Sequence, residues 1–219
     1  MKSRRKQYAV LGLGRFGASV AQSLAQAGHE VLAVDNDETL VSLLAPCVTQ
    51  AVQADATDEG VLRQLSLESF DAAVVAIGTN TRDSILVTVL CKEAGVPLVI
   101  AKAVDELHAK VLRKVGADRV VFPERDMGQR VARTMDAPNI VELIELSGEH
   151  RVAEVLVPRI WCGRTLQDVN VRREYGLSVI GIRRKEEFIA SPGADAKLQT
   201  GDVLLVLGRT KEIDHVGAL

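Results

Sequence analysis

The stretch Tyr8-Ala-Val-Leu-Gly-Leu-Gly-Arg-Phe-Gly17 decides the fold, because it joins an apolar strand to a glycine-rich turn and a helix. Its last six residues fit the pattern G-x-G-x-x-G, which is a weak signal by itself because glycine-rich turns are common. Here the pattern stands directly after a predicted strand, and Asp35 ends the next strand, 23 positions past Gly12. This context predicts a Rossmann-type strand, turn and helix.

Each residue of this motif has a predicted role toward a bound nucleotide. Gly12 permits the turn, Gly14 lets the backbone approach a pyrophosphate, and Gly17 lets the helix and the strand pack closely. The amino end of the helix then presents unpaired N–H groups to the phosphates. Asp35 would accept hydrogen bonds from a ribose 2′-hydroxyl and repel a 2′-phosphate, which disfavours NADP. The motif therefore predicts a site for an adenine nucleotide.

The segment from residue 7 to residue 122 alternates short β-branched runs with helical patterns. Strands are predicted at 8–11, 30–34, 48–53, 72–77, 98–101 and 119–122. The predicted helices lie between these strands, from the glycine turn to residue 24 and at 37–45, 58–65, 81–93 and 105–115. Strands that alternate with helices at this spacing predict an α/β fold, a Rossmann-like doubly wound parallel sheet.

The alternation ends at Pro123, which opens a predicted helix to about residue 134 with Met127, Val131 and Met135 along one face. A second short helical segment is predicted from Ile140, and the pattern after it is β-rich. We therefore predict a Rossmann-like domain at 1–136, a crossover helix or linker at 137–148 and a small C-terminal α+β domain at 149–219. A unit this small is marginally stable alone, so dimerisation through it is expected.

The composition is that of a globular protein with an aliphatic core. Of the 219 residues, 47% are hydrophobic and 3% are aromatic, which suits a parallel sheet covered on both faces. The formal net charge of -2 provides no attraction to nucleic acid or to an anionic membrane. Cys47, Cys91 and Cys162 lie far apart, and no apolar run is long enough to span a bilayer. These features predict a cytosolic protein without direct membrane insertion or a nucleic-acid partner.

Four further residues are candidates for nucleotide contact, and three of them have a structural alternative. Arg15 lies in the phosphate turn, where its guanidinium suits a polyphosphate; a solvated surface arginine is the alternative. Asp55 follows the third strand and either accepts from the adenine amino group or caps the next helix. Gly78 ends the fourth strand and would let the backbone approach the nucleotide. Lys102, after the fifth strand, is a phosphate partner or a solvated lysine.

The motifs of common enzymes are absent from the sequence. It contains no G-x-x-x-x-G-K-[ST] loop, and its four histidines, His29, His108, His150 and His215, form no H-E-x-x-H pair. The C-terminal part is too small for the usual substrate domain of a dehydrogenase. A nucleotide site without a reaction partner predicts sensing, and we predict that the chain is not an enzyme.

Together these residues resemble one family, the RCK (KTN) regulators of potassium transport, and within it the KtrA-type subunits. The resemblance covers essentially the whole chain. Its segments are QYAVLGLGRFG (7–17), GHEVLAVD (28–35), ADAT (54–57), VAIG (75–78), KVLRKVGADR (110–119), PERDMG (123–128), DVNVR (168–172) and YG (175–176).

The resemblance implies a homo-oligomeric ring, usually an octamer, docked on a separate KtrB-like membrane potassium transporter at the inner face of the cell membrane. It implies that ATP and ADP occupy the N-terminal domains at dimer interfaces and change the shape of the ring. The nucleotide-site residues implied by motif position are Gly12, Gly14, Arg15, Phe16, Gly17, Asp35, Asn36, Asp55, Ala56, Ile77, Gly78, Lys102 and His108.

Two further ligands are implied by the resemblance. Glu124 matches a carboxylate that coordinates a divalent cation, Mg²⁺ or Ca²⁺, near the phosphates; the alternative role is to stabilise the first turn of its helix. Arg15 would reach the terminal phosphate, including that of a neighbouring subunit's nucleotide. Some relatives bind cyclic di-AMP between paired C-terminal domains, and Asn170, Val171 and Arg172 form the matching segment here.

The choice between ATP and NAD stays open at the level of the sequence. Close KtrA sequences often have asparagine where this chain has Asp55. An NAD(H)-sensing regulator and a small NAD-dependent oxidoreductase are therefore the alternative functions. The oxidoreductase would need a proton donor opposite the nicotinamide ring.

Overall fold

A computed structural model describes residues 5–219, apart from the side chains of residues 133 and 134. The contacts divide the chain into two compact units, Met1–Arg125 and Asp126–Leu219. Within the described residues, no helix combines the length and the apolar character that a membrane span requires.

Six parallel strands form the sheet of the first unit. They are β1 (Gln7–Leu11), β2 (Glu30–Asp35), β3 (Gln50–Gln53), β4 (Ala72–Val75), β5 (Val99–Lys102) and β6 (Arg119–Val121). Their order, β3-β2-β1-β4-β5-β6, confirms the doubly wound Rossmann-like sheet. The order changes direction between β1 and β4, and in such sheets a crevice opens there at the carboxyl ends of the strands.

In the described part of the first unit, five α-helices cover this sheet. They are α1 (Arg15–Gln26), α2 (Glu38–Leu44), α3 (Glu59–Gln64), α4 (Thr81–Glu93) and α5 (Glu106–Lys114). Four of them begin after a polar residue whose side chain accepts from a backbone N–H of the first turn, the caps being Asp37, Asp58, Asn80 and Asp105. These caps satisfy donors that the helix itself leaves unpaired, so the helix starts are encoded locally.

Both faces of the parallel sheet are apolar because successive side chains of each strand point to opposite sides. On β1, Ala9 and Leu11 lie in one core with residues of α4 and α5, such as Val87 and Leu112. Val10 lies in a second core, on the other face, with residues of α1 and α2. Burial on both faces explains why alanine, valine, leucine and isoleucine dominate the strands, with polar residues mostly at the strand ends.

The second unit is built on an antiparallel sheet. Its strands are β7 (Ile140–Glu145), β8 (His150–Leu156), β9 (Ser178–Arg184), β10 (Glu187–Ala190) and β11 (Val203–Arg209), in the order β10-β9-β11-β8-β7. The helix α6 (Pro123–Asp136) leads into this unit, which also contains α7 (Leu166–Val169), α8 (Val171–Tyr175) and α9 (Thr210–Gly217). Its core includes Trp161, the single tryptophan of the chain.

The helical segment predicted from Ile140, within the expected linker 137–148, is wrong. Residues Ile140–Glu145 form β7, and Leu143 pairs with Ala153 of β8. The run is too short for its periodicity to separate a helix from a strand, and an available partner strand decided the outcome. The sequence also did not predict the helices α7, α8 and α9.

Candidate functional site

A cleft of about 290 Å³ lies at the carboxyl ends of β1, β2 and β4, where the strand order changes direction. It is formed by the loops that follow these strands and β3. Its lining residues are Gly12, Gly14, Val34, Asp35, Asn36, Asp37, Leu40, Ala54, Asp55, Ala56, Thr57, Ala76, Ile77, Gly78, Thr79 and Asp83. Eight of the residues that the sequence nominated for a nucleotide are in this lining.

The three glycines of the turn meet different surroundings. Gly12 has a φ of +96°, and a Cβ there would lie 3.0 Å from the Ile77 nitrogen. A Cβ on Gly17 would lie 1.9 Å from the Gly12 carbonyl oxygen, so helix α1 could not pack against the turn. A Cβ on Gly14 would meet nothing within 4 Å. Gly12 and Gly17 are therefore required by the fold, whereas Gly14 faces open space in the cleft.

Asp35 holds the turn in place. Its Oδ2 accepts from the Leu13 nitrogen at 2.6 Å, and its Oδ1 accepts from the Asp37 nitrogen at 2.9 Å. A carboxylate oxygen can accept more than one hydrogen bond, so Asp35 keeps acceptor capacity toward the cleft. The residue that the sequence predicted as a ribose acceptor thus also connects the end of β2 to the glycine turn.

Asp55 does not cap the helix that follows it, because Asp58 occupies the cap position of α3. Its Oδ1 accepts from the Thr57 nitrogen at 2.8 Å and from the Thr57 hydroxyl at 2.7 Å. The hydroxyl and then the backbone hydrogen bond lower the pKa of Asp55 below its usual value. The carboxylate therefore stays ionised and is held rigidly at the wall of the cleft.

The cleft is acidic. Asp35, Asp37, Asp55 and Asp83 line it, and among the described residues that form its wall there is no lysine, arginine or histidine. Sequence reasoning missed Asp37 and Asp83 as wall residues. Asp37 follows the end of β2 by two positions, and Asp83 lies in the first turn of α4, the helix that follows β4. Placement at the carboxyl ends of parallel strands was the signal that would have identified them.

Lys102 and Glu124 form an ion pair outside the lining of the cleft. The Lys102 Nζ lies 2.5 Å from the Glu124 Oε1, and this hydrogen bond lowers the pKa of Glu124. A Cβ on Gly78 would lie 3.0 Å from the same Nζ, so the ammonium group borders a residue of the cleft wall. The structure therefore brings together two residues that the sequence assigned to different ligands, a phosphate and a cation.

The remaining nominated residues of the first unit do not line the cleft. Arg15 is the exposed first residue of α1, and Phe16 is half-buried against the core below the turn. His108 is buried on α5, where its Nδ1 accepts weakly from the Val104 nitrogen at 3.4 Å. Its Nε2 is buried without a hydrogen-bond partner in the described part of the chain. Burial lowers the pKa of His108 although Asp105 opposes this shift.

A metal ion has few ligands within one chain. The described residues contain no cluster of three or more histidine, cysteine, aspartate or glutamate side chains suited to a metal. Glu124 offers one exposed carboxylate, an oxygen ligand of the type that Mg²⁺ and Ca²⁺ accept. The residues thus fit a cation only if phosphate oxygens or a second chain complete its coordination.

In the second unit, Asn170 joins α7 to α8, and Val171 and Arg172 are the first two residues of α8. Asn170 has a φ of +51°, and Val171 is buried in the core. All three residues border a shallow cleft of about 510 Å³ together with Gln167, Ser178 and other neighbours.

Comparison with known proteins assigns both units. The TrkA-N domain family matches residues 8–123, and the TrkA-C domain family matches residues 152–219. The chain belongs to the TrkA family of RCK (KTN) potassium-transport regulators. The resemblance noted in the sequence is thereby confirmed.

Full-length relatives support the same assignment. The chain is 43% identical over 211 residues to Ktr system potassium uptake protein C of Bacillus subtilis (strain 168), covering 96% of each chain. It is 40% identical over 210 residues to Ktr system potassium uptake protein A of the same organism, covering 96% of this chain and 95% of that protein. This similarity spans both the TrkA-N and the TrkA-C regions.

A solved structure shares the fold. The GsuK RCK domain matches 99% of this chain with a TM-score of 0.69 and 19% identity. The chain spans about half the length of that protein, 48%. At this identity the likeness concerns the fold.

Proposed function

We propose that this chain is a nucleotide-sensing regulatory subunit that controls a separate KtrB-like membrane potassium transporter. In this proposal, subunits assemble into a ring, octameric as in the family it resembles, at the inner face of the membrane. ATP and ADP bind in the acidic cleft of the first unit and favour different ring shapes. The near full-length similarity to Ktr system potassium uptake proteins supports the link to potassium transport.

The composition of the cleft wall is the observation that carries the nucleotide proposal. Gly14 leaves space at the amino end of α1, where unpaired backbone N–H groups attract phosphate. The carboxylates of Asp35 and Asp55 suit the hydroxyl and amino donors of a ribose and an adenine. They disfavour additional phosphate within the cleft, so the phosphate chain would leave it along the glycine turn, on the side of Arg15 and Lys102.

The same wall supports sensing and not catalysis. Its described residues include no histidine, lysine, tyrosine or cysteine to act as a proton donor, and its acid–base groups are aspartates. Carboxyl groups are ordinarily ionised at neutral pH and then cannot donate a proton. The buried His108 lies outside the wall. A hydride-transfer enzyme would need such a donor beside the nicotinamide, so the oxidoreductase alternative lacks support from this geometry. An NAD(H)-sensing regulator needs no such donor and remains the second candidate.

A switch between ring shapes requires differential binding by several subunits. Moving a two-state equilibrium from 1:99 to 99:1 takes about 5.5 kcal/mol. One charge-assisted contact to a γ-phosphate supplies roughly 1.5–3 kcal/mol, so a single subunit is insufficient. The exposed guanidinium of Arg15, at the first turn of α1, is our candidate for this contact, directed to the nucleotide of its own or an adjoining subunit.

Calorimetric titration of the full chain with ATP, ADP, NAD and NADH, with and without Mg²⁺ or Ca²⁺, tests this function. We expect the adenosine phosphates to bind more tightly than either dinucleotide. A Gly14→Ala variant should keep the fold, because no atom lies within 4 Å of the added Cβ, and should lose nucleotide affinity. A protein that binds only NADH would establish the second candidate, and one that ignores all four ligands would contradict both.

A second ligand, cyclic di-AMP, is proposed for the cleft beside Asn170, Val171 and Arg172. The support is the position of these residues at one concave surface with an arginine able to pair with a phosphodiester. Titration of cyclic di-AMP into the intact protein and into Arg172→Ala tests it. Equal binding by both proteins, or none by the unaltered one, would contradict this assignment.

A further inference from the structure

The ammonium group of Lys102 lies against the cleft without being part of its wall. Lys102 ends β5, its side chain is 13% exposed, and its Nζ is 2.5 Å from the Glu124 Oε1. A Cβ on Gly78 would lie 3.0 Å from that Nζ and 3.3 Å from the Lys102 Cε. The missing side chain of Gly78 therefore makes room for the lysine, and this places a positive charge beside an otherwise acidic cleft.

The two members of the ion pair differ in their freedom to move. The Glu124 side chain is 70% exposed, so water can replace Lys102 as its partner with little loss of free energy. The Lys102 side chain is only 13% exposed and its Nζ lies beside Gly78, so fewer water molecules can replace its partner. The Glu124 carboxylate is therefore the member of the pair that exchanges more readily.

A phosphate that binds beside Gly78 would find the Lys102 ammonium already paired with Glu124. Lys102 donates to either a carboxylate or a phosphate oxygen, and an anion that binds it strongly must displace Glu124. The displaced Glu124 carboxylate would then be free to bind a divalent cation near the phosphates, because Mg²⁺ and Ca²⁺ prefer oxygen ligands. Phosphate binding and cation binding would then be coupled, and by thermodynamic linkage the coupling is reciprocal.

We propose that Glu124 acts as an internal competitor for the phosphate site: it neutralises Lys102 when no nucleotide is present and is released toward a divalent cation when a phosphate takes over Lys102. This inference rests on the nucleotide site proposed above. It assigns Glu124 two alternating partners, and it makes Lys102 the positioning residue that decides between them.

A double-mutant cycle with ADP in metal-free buffer containing EDTA tests the exchange. Glu124→Gln should tighten ADP binding by about two- to fivefold, the range expected for loss of a partly exposed ion pair. Lys102→Met should weaken it by about tenfold, because a charge-assisted contact is lost. In the Lys102→Met background, Glu124→Gln should change nothing, since no lysine remains to be released.

The cycle separates competition from simple charge repulsion. If Glu124 only repelled phosphate at a distance, Glu124→Gln would tighten ADP binding equally with and without Lys102, and the proposal would be overturned. Unchanged affinity in Glu124→Gln would overturn it as well. Lys92→Met is the matched control, because Lys92 forms a comparable pair with Asp118, at 3.0 Å, away from the residues of the cleft.

A second readout follows the cation. With saturating ADP, Mg²⁺ or Ca²⁺ should bind the unaltered protein more tightly than it does without ADP, and Glu124→Gln should abolish this increase. Circular dichroism of each variant verifies that it is folded. Failure of the unaltered protein to bind ADP would count against the nucleotide function itself, whereas ADP binding without the expected cycle would overturn only the exchange.

Discussion

Each unit contains a carboxylate paired with a cationic side chain, and the two pairs differ in the burial of the carboxylate. At the edge of the parallel sheet, Glu124 is exposed and pairs with Lys102 through one oxygen. In the antiparallel unit, Asp202 is 2% exposed and its two oxygens accept from the Arg184 Nε and Nη2 at 2.8 and 2.7 Å. Burial of the carboxylate decides whether the pair can exchange or must persist.

The pKa of Asp202 reflects this confinement. Burial would raise it, but the hydrogen bonds from Arg184 and from the Gln199 nitrogen, together with the charge of Arg184, lower it below its usual value. Removing one partner of an ion pair that contains a buried carboxylate is costly, because it leaves an uncompensated buried charge. The first unit instead packs its backbone closely at Gly12 and Gly17, and its Lys102–Glu124 pair keeps an exposed carboxylate.

The largest effect on the free energy of unfolding is expected at Gly17, where two backbone segments of the first unit lie in close contact. Gly17→Ala should destabilise it by about 3 kcal/mol or more, because a Cβ would lie 1.9 Å from the Gly12 oxygen. Urea denaturation followed by circular dichroism measures this loss. Gly128→Ala in α6 meets no atom within 4 Å and should stabilise by up to about 1 kcal/mol. Equal effects at both glycines would refute the close-packing explanation.

Removing Arg184, the cation that pairs with the buried Asp202, should have the second largest effect on stability. Arg184→Met leaves Asp202 buried without its ion pair and should cost about 3 kcal/mol, the lower end for buried pairs, since Arg184 keeps 29% exposure. Fluorescence of Trp161, buried in this unit and unique in the chain, reports its unfolding in urea. The neighbouring Arg183→Met breaks a more exposed pair with Glu154 and should cost less than about 1 kcal/mol. Similar costs for the two variants would contradict the role of burial.

A smaller, pH-dependent effect is expected at His108 in the first unit. Burial lowers its folded pKa below the 6.5 of the unfolded chain, so the unfolded state binds more protons between these two values. Stability should therefore be full above about pH 7 and decline as the pH falls through 6.5 toward the folded pKa. His108→Gln should flatten this decline in urea titrations at pH 7.5, 6.5 and 5.5. His150→Gln, at an exposed histidine, is the control. If His108→Gln left the pH dependence of the free energy of unfolding unchanged, the explanation would be wrong.

The smallest effect on stability should come from the ion pair between Lys102 and Glu124. Glu124→Gln should change the free energy of unfolding by less than about 0.5 kcal/mol, because its carboxylate is mostly exposed. Urea denaturation under the same conditions as for Arg184→Met gives the direct contrast between the two units. A loss comparable to that of Arg184→Met would show that Glu124 is a structural partner and would contradict its exchange.

The local features of the chain were predictable. The helix predicted at 81–93 is α4 with the same bounds, because Asn80 caps its start and Gly95 and Pro97 prevent its continuation. Gly12, Gly14 and Asp35 lie together in the lining of the cleft, since that motif describes contacts within a few residues and one neighbouring strand. The family could be recognised because such motifs are distributed along the whole chain.

The features that the sequence did not reveal depend on strand pairing and packing in the folded unit. Residues 140–145 became a strand because β8 offered hydrogen bonds, although their own pattern was ambiguous. His108 matched a family position near the ligand, but its side chain is buried outside the cleft wall. Neither outcome follows from periodicity, because burial and strand pairing are properties of the assembled unit.

By itself, the sequence determined the alternation of strands and helices, the glycine turn and the family. Backbone preferences and short-range contacts encode these features within a few residues. Only the tertiary structure decided that Lys102 engages Glu124, that Asp202 is buried with Arg184, and that the cleft wall is acidic. Each of these depends on side chains from separate elements that meet only when the chain has folded, and their charge and burial set how each site behaves.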